Sequence, residues 1–152
     1  MANRELIVVG VDGTDGGRRA LRWAIDEARR TGGTVAAVTA WYWDGVGFDD
    51  VPVAGPAEQR TYAERISARE VNHVLADLEP GVTGVPVARR VVQGHPVKVL
   101  ADASHDARLL VLGSHGRHRL HQALVGSISE SSVRHAACPV VVVPAREPVT
   151  AR

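Results

Sequence analysis

The amino-acid sequence predicts an α/β fold built on one parallel, doubly wound sheet, and three observations predict it. Five short apolar runs rich in Val, Leu and Ile recur along the chain, helix-periodic stretches separate them, and Gly, Pro and Asp cluster at the joints. Strands that are apolar throughout must be covered on both faces, and helices crossing between parallel strands provide that cover. The length of 152 residues, 45% hydrophobic and 23% charged, suits one domain spanning 1–152, with a core over about 5–144.

Strand one is the β-branched run Leu6–Val11, stopped by Asp12-Gly13. A helix follows over Asp15–Arg30, where Leu21, Ala24, Ile25 and Ala28 keep i, i+3, i+4, i+7 spacing and Arg18, Arg22, Glu27 and Arg29 take the other faces. Gly32-Gly33 ends it. Thr34–Trp41 is strand two, and the Gly-, Pro- and Asp-rich stretch Asp44–Pro56 is a loop. Helix two covers Ala57–Leu78, with Tyr62, Ile66, Val71, Val74, Leu75 and Leu78 at helical spacing before Glu79-Pro80-Gly81. Strand three is Val85–Val92, helix three Pro96 to about Ser104, and strand four Arg108–Leu112. Ser127–Ala137 forms helix four, burying Ile128, Val133 and Ala136, and Pro139–Val143 is the last strand.

Charge and composition narrow the function. With 18 basic and 17 acidic side chains the net charge is +1, which gives no broad field for nucleic acid. No run approaches the roughly 20 apolar residues of a membrane span, and the amino terminus lacks a secretory pattern, so a soluble cytoplasmic protein is expected. Lys98 is the only lysine, and Val97-Lys98-Val99 does not satisfy the Walker A pattern. The single Cys138 forms no internal disulfide.

Parallel sheets of this kind bind ligands beyond the carboxyl ends of their strands, where strand order reverses. Two glycine-rich loops qualify. Gly10-Val11-Asp12-Gly13-Thr14-Asp15-Gly16 follows strand one, but Asp12 stands where the dinucleotide fingerprint needs its second glycine. A carboxylate there repels phosphate and accepts hydrogen bonds, which suits ribose hydroxyls or, equally, a turn and helix cap. The second loop, Gly113 to Ser129, contains no acid. Gly113 and Gly116 allow close backbone approach to an anion, Arg117 and Arg119 add charge, and Gly126-Ser127 opens a helix whose N–H groups favour phosphate. Ser127 and Ser129 add hydroxyls; the competing reading is a basic loop with a Ser N-cap. If strands one and four are neighbours, a sugar acceptor faces phosphate donors across one crevice, as a nucleotide requires.

Gly113, Gly116, Gly126 and Ser127 fit the spacing G-x2-G-x9-G-[ST], and with the Asp after strand one and the Pro before the last strand the chain resembles the universal stress protein family from Leu6 to Pro144. The resemblance implies a Rossmann-like, five-stranded parallel sheet in the order 3-2-1-4-5. It also implies ATP, with Mg²⁺ carried by the nucleotide, as the ligand. By that resemblance Asp12 meets ribose, the backbone of Gly10 and Val11 lies near the base, and the main chain at Ala40 contacts adenine. Leu112 and Gly113 adjoin the ribose and α-phosphate, His115 and Gly116 the phosphates, and Gly126, Ser127, Ile128 and Ser129 the triphosphate. His115 stands where the family commonly has Arg, which implies a pH-dependent phosphate contact.

Other candidates carry less. His115, His118 and His121 recur every three residues but lack a Cys or carboxylate in their loop, so no metal site is assigned. Cys138 reads as a small packed thiol, His135 as a helix residue, and Trp23, Trp41 and Trp43 as packing residues, the last two near enough to border a base. Ser127 lacks an Asp and His placed to activate it, so no catalytic residue is assigned. The resemblance implies a nucleotide-dependent sensor or regulator in stress response with an unidentified protein partner, and a homodimer through the apolar edge strand 139–143. A slow ATPase or nucleotidyl transferase, and a nucleotide-free dimeric adaptor, are the alternatives.

Overall fold

The computed structural model describes residues 5–43, 55–78, 84–114 and 126–145. Nine elements alternate along them: β1 (Leu6–Gly10), α1 (Asp15–Thr31), β2 (Thr34–Trp41), α2 (Pro56–Ala76), β3 (Val87–Gln93), α3 (Pro96–Ser104), β4 (Leu109–Gly113), α4 (Ser127–His135) and β5 (Val140–Val143). The strands form one five-stranded sheet in the order β3-β2-β1-β4-β5, and every pairing is parallel. The fold class and strand order are as expected.

Local chemistry sets the helix ends. Thr14 caps α1, its hydroxyl accepting from the Gly17 amide at 3.2 Å, and Asp15 in the first turn with Arg29 and Arg30 in the last matches the helix dipole. At the other end Gly32 adopts φ 72°, a left-handed conformation that glycine takes without strain. Pro96 opens α3 at a position where the missing N–H costs nothing, and the His95 ring accepts from the Val97 amide.

The alternation of strand side chains divides the core in two. Ile7, Val9, Val35, Ala37 and Val111 pack with Leu21, Ile25, Val71 and Val74 of α1 and α2. On the opposite face Val8, Ala36, Val38, Leu110 and Leu112 pack with Val99 and Leu100 of α3, and Ile128 of α4 lies against them. Helices therefore cover both faces, and the fully buried strand residues Ile7, Val8, Val9, Leu110 and Val111 account for the apolar runs.

Three expectations need correction. Strand three was expected to be covered like the others, yet Ala88, Arg89, Arg90 and Val92 are exposed. It is an edge strand, and α3 lies against β2, β1 and β4 instead, so charged residues occupy a rim where they also discourage edge pairing. Tyr62 is 52% exposed because the first two turns of α2, before Ala63, stand largely clear of the sheet. Val133 is 53% exposed: α4 turns Ser129 and Ser132 inward, with Ile128 and Ala136 half-buried, and Val133 faces away.

Candidate functional site

β1 is the strand from which the chain's connections diverge. It pairs with β2 on one side and with β4 on the other, Val9 lying beside Val111, so β1 and β4 end side by side at the carboxyl end of the sheet, where doubly wound sheets carry their binding crevice.

On the β1 side, Asp12 organises its own loop. Its Oδ1 accepts from the Thr14 amide at 3.1 Å and from the Thr14 hydroxyl, and that hydroxyl in turn accepts from Gly17 N. The turn-and-cap reading of Asp12 is therefore part of the structure. Gly13 adopts φ +86° at the bend, where a Cβ would stand 3.3 Å from Ile66 of α2. Beneath this loop Arg18 of α1 and Arg69 of α2 converge on Glu70, whose side chain is fully buried. Glu70 Oε1 accepts from Arg69 Nε at 2.9 Å and from Arg18 Nη2 at 3.3 Å, while Oε2 accepts from Arg18 Nε. The hydrogen bond from Arg18, and then that from Arg69, hold the Glu70 carboxyl below the usual glutamate range against the opposing effect of burial.

The β4 side is tight for a reason the spacing did not reveal. A Cβ on Gly113 would come within 2.6 Å of the Gly16 backbone at the start of α1, so glycine is needed there for helix–strand packing whatever the ligand. The Ser129 hydroxyl, expected to serve as a phosphate donor, instead donates to the Gly113 carbonyl at 2.7 Å and ties α4 to the end of β4. Ser127 was expected to cap α4. The cap position belongs to Gly126, no side chain makes a capping hydrogen bond, and Ser127 is exposed as the first helical residue. Gly126 donates its amide to the Ser114 carbonyl. The amides of Ser127, Ile128 and Ser129 belong to the first turn, where no helical carbonyl precedes them, so they are available as a donor set at the amino terminus of α4.

Gly10, Ala40 and Leu112 lie at the carboxyl ends of β1, β2 and β4, on the α3 side of the sheet. A Cβ on Gly10 would meet Leu112 at 2.8 Å and Leu100 of α3 at 3.6 Å, and Ala40 packs against the same apolar cluster. Val11 donates its amide to Val38 O at 2.9 Å, which joins the β1 loop to β2 at this level. Beyond Ala40 the rings of Tyr42 and His95 pack with centroids 5.6 Å apart and a tilt of 31°. Sequence reasoning passed over both residues. The usable signal was His95 directly before Pro96, a helix-start pattern that places a ring at the carboxyl end of β3. Trp43 is 45% exposed rather than a packing residue, Trp23 is half-buried against the core, and Trp41 is half-buried at the end of β2.

Donor and acceptor chemistry across the crevice suits a nucleotide: a carboxylate on one side, amides of a helix amino terminus and an exposed hydroxyl on the other, and a small apolar floor between them. His115, Gly116, Arg117, His118, Arg119 and His121 lie outside the described residues. Among the described residues no group of three or more His, Cys, Asp or Glu side chains could hold a metal ion, and no helix is long and apolar enough to cross a membrane. Cys138 is half-buried, and burial pushes its thiol up, away from the thiolate a nucleophile needs. His135 ends α4 with Nδ1 2.7 Å from the Ser131 carbonyl. A separate groove of about 460 Å³, lined by Arg60, Thr61, Glu64, Arg65, Ala68 and Arg89, shares no residue with the crevice.

Comparison with known proteins agrees with this fold. The sequence profile of the universal stress protein family matches residues 3–144. Universal stress protein Rv2623 of Mycobacterium tuberculosis is 33% identical over 150 residues, covering 95% of this chain and 46% of the relative. The chain thus spans about half the length of the curated relatives it matches. Among solved structures, a universal stress protein in complex with cAMP superposes with a TM-score of 0.68 at 23% identity, covering 94% of this chain and 98% of that one. A universal stress protein from Archaeoglobus fulgidus in complex with dAMP gives 0.64 at 20% identity, covering 93% and 98%.

Proposed function

The chain belongs to the universal stress protein family, and from that premise we propose that it binds ATP, with Mg²⁺ carried by the nucleotide, as a nucleotide-dependent regulator in stress response. The observation that supports the reading is the pairing of β1 with β4, together with the bond from the Gly126 amide to the Ser114 carbonyl, so that the loop carrying Asp12 and the amino terminus of α4 adjoin neighbouring strands. In this reading the base lies over Gly10, Val11 and Ala40, the ribose hydroxyls donate to Asp12, and Leu112 and Gly113 adjoin the sugar and first phosphate. The outer phosphates accept from the amides of Ser127, Ile128 and Ser129 and from the Ser127 hydroxyl, helped by the helix dipole; Gly126, lacking a side chain, lets them approach. The sequence adds His115 and Gly116 to the phosphate end. Relatives of the same fold described with cAMP and dAMP support an adenine nucleotide as the ligand class.

Isothermal titration of the full chain with ATP and Mg²⁺ tests this. Saturable one-site binding, weaker for AMP than for ATP, is the expected result. Absence of heat and of any thermal shift at millimolar ATP would leave the nucleotide-free adaptor as the better reading.

The proposal includes one domain spanning 1–152, with its core over about 5–144, and a homodimer through β5. All four valines of β5 are half-buried, and among the described residues the strand pairs only with β4, so its other edge offers an apolar row to a second copy. Analytical ultracentrifugation should show a dimer at tens of micromolar; a persistent monomer rejects the interface.

A further inference from the structure

We propose that Tyr42 and His95 form a base-stacking platform that makes this site prefer purine over pyrimidine nucleotides. The inference rests on the nucleotide reading above and extends it to two residues that the spacing of the glycine motif does not include.

Three observations bring the pair to the base end of the crevice. Ala36, Val38 and Ala40 of β2 face the α3 side of the sheet, and Tyr42 follows two residues beyond Ala40. His95 is the cap of α3, the helix whose Leu100 packs beside Gly10 on that same face. Trp41 accepts from the Gly94 amide through its carbonyl at 2.8 Å, which fastens the end of β2 to the turn that carries His95. Tyr42 is nevertheless 50% exposed, and His95 is exposed as well. Two large rings therefore stand exposed at the carboxyl ends of β2 and β3, next to the small residues Gly94 and Ala40.

The pair is also held in place. His95 is fixed on one side by the hydrogen bond its Nδ1 accepts from Val97 N at 3.4 Å and on the other by the Tyr42 ring. An ordered ring loses little freedom when a base stacks on it, and a purine offers the larger π-face. Selectivity for the base thus comes from area, while Asp12 and α4 engage groups that all ribonucleoside triphosphates share.

Equilibrium binding of ATP and of CTP, each with Mg²⁺, to the parent chain and to Tyr42→Ala, Tyr42→Phe and His95→Asn tests the proposal. The asparagine keeps an oxygen for the α3 cap while removing the ring. The parent should bind ATP more tightly than CTP. Tyr42→Ala should weaken ATP by roughly five- to a hundredfold, the range for losing a stacked base, and CTP by less, so that the preference collapses. Tyr42→Phe should retain it, and His95→Asn should lose part of it with the melting temperature unchanged. The platform is rejected if the parent does not discriminate between the two, if Tyr42→Ala binds ATP within about twofold of the parent, or if both nucleotides weaken equally. A parent chain that binds neither would overturn the nucleotide reading itself, an outcome distinct from binding whose base preference ignores these rings.

Discussion

Arg18→Ala should lower the unfolding free energy by about 3 kcal/mol or more at neutral pH, because it strips one partner from a fully buried carboxylate. Glu70 would keep only the bond from Arg69, whose own side chain is 61% exposed. For a domain whose whole stability is about 5–15 kcal/mol, that loss is a large fraction. The pH dependence follows from the depressed carboxyl. The folded-state value of Glu70 lies below its unfolded one, so its contribution is complete above the ordinary glutamate value of about 4.3 and disappears as pH falls through the folded value. The gap between parent and Arg18→Ala should therefore be widest near neutrality and narrow toward about pH 3, below the unfolded carboxyl's ordinary value, where the ion pair adds progressively less. Urea melts at both pH values measure it. An equal loss at the two would mean that Arg18 acts by packing alone. Since Ile66 of α2 lies against Gly13, the variant should also loosen the loop that carries Asp12, visible as faster amide exchange there.

Asp12→Asn should weaken ATP and ADP by similar factors, about 1.5–3 kcal/mol for hydrogen bonds to a charged acceptor, and should reduce the preference for ribose over deoxyribose. Asparagine is the informative substitution because the structure gives Asp12 a second duty. Its Oδ1 supports Thr14, and asparagine retains an oxygen for that bond. Asp12→Ala removes both and should add a stability loss of about 1 kcal/mol through the α1 cap. Titrations with ATP, ADP and dATP, paired with thermal melts, separate the two duties. An Asp12→Asn protein that binds ATP as tightly as the parent would reduce Asp12 to a turn residue.

Which features were legible in sequence depends on how far apart the causes lie. The helix over Asp15–Thr31 announces itself through Thr14, the spacing of Leu21, Ala24, Ile25 and Ala28, and Gly32, all within one local stretch. β1 and β4 are apolar because they lie near the middle of the sheet with helices on both faces, so composition and position agree. The resemblance carried the strand order.

The rest was decided by contacts between distant segments. Glu70 carries no local signal beyond helical position; its burial depends on Arg18, 52 positions earlier, which only the packing of α1 on α2 brings within reach. Gly113 looks like a phosphate-loop glycine until Gly16 is seen against it. Ser127 and Ser129 are equivalent hydroxyls in sequence, yet the end of β4 takes one as a tether and leaves the other exposed. Tyr42 and His95 meet only because β2 and β3 end side by side. Periodicity, caps and turn residues act over a few positions and so determined the elements and their order in this chain. Which polar groups are consumed in holding elements together, and which are left facing the crevice, depends on distances across the sheet, and the tertiary structure alone decided it.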